Sequence, residues 1–356
     1  MSGADAPAAP LSHIYLASNL WDDLWVIQQP IASVISRDED VLYVERFVSL
    51  FMVFRYPSMW RRIFAWLRGA RRVAPRLRVL APLPLFHLGH RFPLLFALEL
   101  RIQQRWIRWW AGAPVVPRVL WMDSPLPLPL AGHLDETALV YHVGDEVSAF
   151  DTSHEVIMRA LERRMLERAD VVFAAAEQLR RDKLPHNDNA FTVWNAIDPS
   201  AYAGSDDRPS AIDSLREPRA IFVGVVEEWV DIDALAAAAR ALPNVSFAIV
   251  GPVRVPVDAL RALPNVTFVG RVGREEVARM LGRCAVSLIP FVRSRLTERL
   301  VPLKLFEALA AGVMPVATRF SSDLEPLEQQ GLVAVANRAD ELATTVRDAI
   351  RDDSST

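Results

Sequence analysis

Short apolar runs alternate with stretches of helical periodicity along most of this 356-residue chain. His13-Ile-Tyr-Leu-Ala-Ser18 predicts a buried strand, Asn19 to Trp25 a loop and helix start, and the residues up to about Ile35 a helix. Val41 to Arg46 predicts the next strand. Strand, helix and strand at this spacing make a parallel α/β unit. Ligands of such sheets sit beyond the carboxyl ends of the strands, so Ser18 to Asp23 is a candidate cleft loop carrying Ser18, Asn19 and Trp21. The same rhythm returns with strands at Arg118-Val-Leu-Trp-Met122, which runs into Asp123, and at Ala138 to Asp145. A helix over about 153–168 follows, then strands at 171–176 and 191–198. The polar, proline-bearing stretch 203–218 reads as a linker between domains 1–202 and 219–356. Beyond it, Ala220-Ile-Phe-Val-Gly224 opens a second series of strand–helix units. A last helix over about 339–353 is a candidate for packing back onto the first domain.

Residues 46–110 break this rhythm. They hold thirteen arginines against one acid, Glu99, in a chain whose net charge is −3, and aromatics are interleaved with the arginines. Met59 to Arg68 can form a helix with Trp60, Ile63, Phe64 and Leu67 on one face and Arg61, Arg62 and Arg68 around it. Trp60, Arg61, Arg62 and Trp66 are therefore candidates to face an anionic membrane. Single-stranded nucleic acid and an ordinary aromatic core with a basic rim are the other readings of this block. The net charge advertises no nucleic-acid partner, and none is expected. Cys284 is the only cysteine, which points to a reducing compartment. The first ten residues lack the pattern of a signal peptide, and no apolar run approaches a membrane span. The expected location is the cytoplasm, peripheral on the inner face of the plasma membrane.

One stretch carries the chemistry. Val301 to Gly312 predicts a helix with Pro302 at its first position and Gly312 at its C-terminal cap, leading into the short strand 313–318. Lys304 stands in the first turn, where a cation opposes the helix dipole. Arg299 precedes it, and Arg293 and Arg295 lie close in sequence. Cations gathered at a helix N-terminus suit an anion, and phosphate is the usual one. The chain has only two lysines, Lys183 and Lys304, so a compact ammonium at 304 stands out among so many guanidinium groups. Glu307, one turn later, is placed to accept hydroxyl hydrogen bonds from the same ligand. Gly224 ends a strand where backbone can approach that ligand. No cluster of His, Cys or Asp at metal-ligand spacing is present, so neither metal nor cofactor is expected.

Pro302-Leu-Lys-Leu-Phe-Glu-Ala-Leu-Ala-Ala-Gly-Val-Met-Pro-Val-Ala-Thr318 resembles the nucleotide-sugar signature of GT-B glycosyltransferases, P-x-K-x-x-E-x-x-A-x-G-x-P-V-V-x-T. The resemblance covers about 219–350 well and the first half more loosely. It implies two Rossmann-like, doubly wound α/β domains facing a central cleft. It also implies a nucleoside-diphosphate sugar donor, with phosphates at Lys304, Arg299 and Arg293 and ribose at Glu307. His142-Val-Gly-Asp-Glu-Val-Ser-Ala-Phe150 is similar to a segment of bacterial polysaccharide glycosyltransferases whose aspartate serves as the base. That makes Asp145 the candidate general base, with Glu146 beside it and Asp123 as a substitute. Two features depart from the retaining members. Arg299 stands where a glutamate would precede Glu307, and Gly224-Val-Val-Glu-Glu-Trp229 lacks their Arg and Lys pair. The expectation is an inverting, metal-independent transfer to a lipid-linked or polysaccharide-building acceptor. The rival readings are a non-catalytic scaffold of a surface-polysaccharide complex and a soluble natural-product glycosyltransferase.

Overall fold

Ser12–Leu16, all but its first residue buried, is the strand on which the first sheet is built. The computed structural model of the protein describes residues 9–23, 27–48, 60–83, 93–144, 155–202 and 208–353, with the backbone alone for 60–63, 93 and 155. The chain divides into two units, one of residues 1–175 and 180–193, the other of 176–179 and 194–356.

In the first unit the strands are β1 (Ser12–Leu16), β2 (Asp40–Val44), β3 (Arg71–Ala74), β4 (Leu77–Leu80), β5 (Arg118–Met122), β6 (Ala138–Val143), β7 (Val171–Ala174) and β8 (Ala190–Thr192). They form one sheet in the order β3-β4-β2-β1-β5-β6-β7-β8. Every pairing is parallel except β3 with β4 at one edge. The helices are α1 (Gln28–Ile35), α2 (Trp60–Arg68), α3 (Pro93–Ala111) and α4 (Glu155–Arg168), and α5 (Glu177–Lys183) is divided between the two units. Strands covered on both faces read as continuous apolar runs, as β1, β2 and β6 do. Parallel register aligns Tyr15 with Tyr43 and with Trp121, and the rings stack at 5.7 and 6.0 Å between centroids. Phe173 continues the stripe at 5.8 Å from Trp121.

The basic, aromatic block is built into this unit. Its β4 adds to the sheet beside β2, and α3 buries Ile107 and Gln103. The Gln103 amide is satisfied at both ends by the Leu83 backbone, donating to its carbonyl at 2.6 Å and accepting its N–H at 3.3 Å. The opposite side of α3 leaves Leu94, Leu95, Leu98, Ile102 and Trp109 exposed. Trp66 is half-buried, its ring lies 6.1 Å from that of Trp106, and its Nε1 is shielded from water.

The second unit holds β9 (Arg219–Val223), β10 (Ser246–Val250), β11 (Val266–Gly270), β12 (Val286–Ile289), β13 (Met314–Thr318) and β14 (Ala334–Ala336). All are parallel, in the order β11-β10-β9-β12-β13-β14. Its helices are α6 (Ile232–Ala241), α7 (Asp258–Arg261), α8 (Arg274–Leu281), α9 (Leu303–Ala310), α10 (Glu325–Gln329) and α11 (Leu342–Asp353). The alanines of α6 are small because that helix is buried, with Ala234, Ala236, Ala238 and Ala239 inside. The last helix, α11, packs on α6 and on β13 and β14 of its own unit. Of the stretch expected as a linker, residues 208–218 are described. Ile212 is fully buried in the second core with Tyr202, Ile221 and Met280. Ser210 donates to Glu276 at 2.7 Å, so the polar residues there cap packed structure.

Candidate functional site

Each sheet has a switch point, a pair of neighbouring strands from which the chain winds outward in opposite directions. Ligands of open α/β sheets bind beyond the carboxyl ends at that point. In the second sheet it lies between β9 and β12. β9 ends at Gly224, whose φ of +143° is a conformation that side chains rarely adopt. A Cβ there would stand 2.7 Å from the Lys304 Nζ. The neighbouring β10 ends at Gly251, where a Cβ would collide with the Gly224 carbonyl oxygen. These two glycines let the backbone turn tightly under the lysine.

Lys304 lies in the first turn of α9. Pro302 is the N-cap residue with extended backbone, and the helix starts at Leu303, one residue later than the pattern suggests. Proline sits there without cost, since a cap's own N–H takes no part in the helix ladder. The Lys304 Nζ lies 4.8 Å from the ring centroids of both Phe222, within β9, and Phe291, just after β12. An ammonium between two aromatic faces is held by their quadrupoles. Burial lowers its pKa to about 8, and the nearby Glu307 carboxylate pulls the other way. Glu307 accepts a hydrogen bond from the Tyr202 hydroxyl at 2.7 Å. Burial raises the Tyr202 pKa, and the Glu307 contact adds to the rise, so the phenol stays a proton donor. The arginines behave differently. Arg293 is exposed and pairs with Glu298 at 2.6 Å. Arg299 donates to the Arg295 carbonyl at 3.1 Å and lies 3.8 Å from Glu298. Phe222, Phe291, Gly251 and Tyr202 are the members of this corner that sequence patterns do not reveal. Only Tyr202 carries a hint, a hydroxylated ring in an otherwise buried apolar position.

Residues 217–352, which span this corner, match the family model described as Glycosyl transferases group 1. The match lies within the second unit and covers less than half of the chain. TuaH of Bacillus subtilis (strain 168), whose assignment as a teichuronic acid biosynthesis glycosyltransferase is itself provisional, is 28% identical over 176 residues, 47% of this chain. The match spans only 44% of TuaH. Two solved structures extend the likeness over nearly the whole chain at the level of fold. Anabaena HepE in complex with UDP and glucose aligns with a TM-score of 0.62 and 17% identity, covering 97% of this chain and 91% of HepE. Sucrose-phosphate synthase from Thermosynechococcus elongatus aligns with a TM-score of 0.67 and 16% identity, covering 97% and 90%. The fold is therefore GT-B.

In the first unit of this GT-B chain the switch point lies between β1 and β5. The Ser18 backbone N–H and hydroxyl both donate to Asp123 Oδ2, at 3.1 and 3.0 Å. Asp123 is 7% exposed, and burial raises its pKa to about 6 against the hydrogen bonds of Ser18 and Gln28. Asn19 Oδ1 accepts from the Tyr43 hydroxyl. Trp21 packs edge-on against Tyr43 at 5.0 Å, and its N–H donates to Glu45 at 2.9 Å. Ser18, Asn19 and Asp123 thus gather at one place, with Trp21 beside them. His142, near the end of β6, is buried, which lowers its pKa to about 4 and leaves a neutral imidazole. Asp145 and Glu146 lie outside the described residues, as do the side chains of Trp60, Arg61 and Arg62. Among the described residues, no group of three or more His, Cys, Asp or Glu could hold a metal ion. No helix among them is long and apolar enough to cross a membrane.

Proposed function

We propose that the chain transfers a sugar from a nucleoside-diphosphate sugar to a hydroxyl of a lipid-linked or polysaccharide-building acceptor, without a metal and with inversion. The observation that carries this reading is Lys304, an ammonium seated over Gly224 in the first turn of α9, with Glu307 and two aromatic rings beside its charge. A diphosphate leaving group accumulates negative charge as its bond to the sugar breaks, and a fixed cation with helix N-terminal amides stabilises it. Glu307, held by Tyr202, keeps a carboxylate oxygen for ribose hydroxyls. The bound UDP and glucose of HepE support a donor of this class. Thermal melting with a panel of uridine and guanosine diphosphate sugars tests it, because a ligand bound to the folded state raises apparent stability. One sugar nucleotide should raise the melting temperature of the wild type and not of Lys304→Ala; a panel that protects neither sinks the reading.

The acceptor side is proposed to work at the inner face of the plasma membrane. Support comes from the exposed side of α3, where Leu94, Leu95, Leu98 and Ile102 stand beside the exposed arginines Arg101 and Arg105. Phe64 and Leu67 of α2 are exposed as well. Apolar side chains beside arginine are the make-up of a helix that lies in an anionic interface. Flotation with vesicles containing phosphatidylglycerol should carry the protein upward, and Leu94→Glu with Leu98→Glu should leave it at the bottom. Flotation indifferent to both changes contradicts the membrane part alone.

A further inference from the structure

Between α1 and the β3–β4 hairpin the first unit holds a cavity of about 540 Å³. Trp21, Ser33, Ser36, Arg37 and residues 73–77 of the hairpin line it. The floor is the apolar core that Trp21, Val73, Ala74 and Leu77 share with Tyr43 and Val79. The rim is polar. Arg37 and Arg76 are exposed, and the Ser36 hydroxyl donates to the Ser33 carbonyl at 2.8 Å. Voids larger than a water molecule are few in a packed domain, and ligand pockets run from about 300 to 1,000 Å³ with apolar walls and a few placed polar groups. This cavity has the size and lining of the second kind.

The rim sets the sign of the ligand. Arg37 and Arg76 line the cavity and no acid does. Asp38 and Asp40, close by in sequence, are exposed and lie off the lining. The Arg76 guanidinium donates to the Asp38 carbonyl, which steadies it at the rim and leaves its other N–H groups for a ligand. Guanidinium forks match the geometry of carboxylate and phosphate. An apolar floor under such a rim suits a molecule with an apolar body and one anionic end. Leu77 aligns with Val41 at the start of parallel β2, so the hairpin turn lies at the amino ends of the strands. That is opposite the end at which ligands of such a sheet bind. Trp21 nevertheless ties the cavity to the strand-end loop. Its ring stands edge-on to Tyr43 at 5.0 Å, the Tyr43 hydroxyl donates to Asn19, and the Trp21 backbone N–H donates to Glu45 at 2.9 Å. Arg71 of β3 pairs with Asp22 of the same loop at 2.5 Å.

We propose that this cavity is an effector site for an amphipathic anion, an alkyl or aryl group that ends in a phosphate or carboxylate. The apolar body lies against Trp21, Val73 and Leu77, and the anionic end meets Arg37 and Arg76. A body lodged against the Trp21 ring braces it on Tyr43, and with it the loop in which Ser18 holds Asp123. The site acts on the loop from behind the sheet and needs neither Lys304 nor a bound nucleotide, so it stands or falls apart from the transfer reading.

Calorimetric titration of octyl phosphate and of octanoate into the full chain, both below micelle-forming concentrations, tests the site. At least one should bind the wild type, and 1-octanol and inorganic phosphate, each lacking one half of the ligand, should bind at least about tenfold more weakly. Arg37→Gln with Arg76→Gln should weaken binding at least about tenfold, the loss of charge-assisted hydrogen bonds. Both arginines are exposed, so this variant should melt with the wild type. Leu94→Glu with Leu98→Glu should bind as the wild type does, which separates the cavity from the exposed side of α3. With ligand bound, mass-spectrometric hydrogen exchange of peptides covering residues 17–23 should slow. Flotation with vesicles containing phosphatidic acid distinguishes the sources of the anion: reduced flotation of the arginine variant assigns it to a lipid, and unchanged flotation to a free amphiphile. The proposal is overturned if neither anion binds, if 1-octanol binds as tightly, or if the arginine variant binds equally well. It is also overturned if the α3 variant loses binding or if exchange over 17–23 ignores the bound ligand.

Discussion

The two sheets carry opposite chemistry at equivalent places. At the β9/β12 switch point a lysine is pressed between two phenylalanine rings above a glycine turn, and its partner Glu307 is already held by Tyr202. At the β1/β5 switch point a buried carboxylate accepts two hydrogen bonds from Ser18 at one oxygen. The cationic corner holds its ammonium in place before any ligand arrives. In a two-substrate reaction this is a sensible division, since the leaving diphosphate needs a fixed field and the incoming alcohol needs a proton acceptor.

The comparison can be broken from either side. Asp123→Asn has the largest expected effect, about a hundredfold or more on turnover with donor binding intact. Equal losses of binding and turnover would make Asp123 a structural residue. Gly224→Ala comes next. It demands a side chain at φ +143° and drives a methyl group to 2.7 Å from the Lys304 Nζ. Strain of about 1–3 kcal/mol and displacement of the ammonium should weaken diphosphate binding at least about tenfold, read by calorimetry.

A pH titration sharpens the cationic side. Burial puts the Lys304 pKa at about 8, below its ordinary 10.5, so the ligand-free folded protein sheds this proton before the unfolded chain does. The stability of the free protein should therefore rise with pH between about 8 and 10.5 relative to Lys304→Met. Diphosphate affinity should move the other way, falling as pH climbs through about 8, and should stay flat in Lys304→Arg. Tyr202→Phe is the smallest expected change. Loss of one hydrogen bond to a charged group, about 1.5–3 kcal/mol at most, should cost a few-fold to about a hundredfold in affinity for UDP and less for 2′-deoxy-UDP. An equal loss for both nucleotides would detach Tyr202 from ribose recognition.

The same contrast explains what was legible in the sequence. Lys304 and Glu307 sit one helical turn apart in a run with a proline before it and a glycine after it, so local pattern gave both residues and their face. Parallel strands buried on both faces gave most of the remaining elements. Arg118–Met122 was bounded correctly from its apolar run alone. The aromatic walls at Phe222 and Phe291 were not legible, because they come from strands whose adjacency is a matter of sheet order. Ser18 and Asp123 were each picked out as strand-end residues, yet their contact spans 105 positions and no spacing rule announces it. Trp66 lies 6.1 Å from Trp106, a tertiary contact that helical periodicity cannot announce.

If Lys304 marks a diphosphate site, calorimetric titration of UDP and of GDP into the wild type and into Lys304→Ala will separate the two proteins. The expected result is that one of the two nucleotides binds the wild type at pH 7 and binds the variant about tenfold to a hundredfold more weakly, the loss of a charge-assisted hydrogen bond of ~1.5–3 kcal/mol. Binding of equal strength to both proteins, or of neither nucleotide to the wild type, would contradict it.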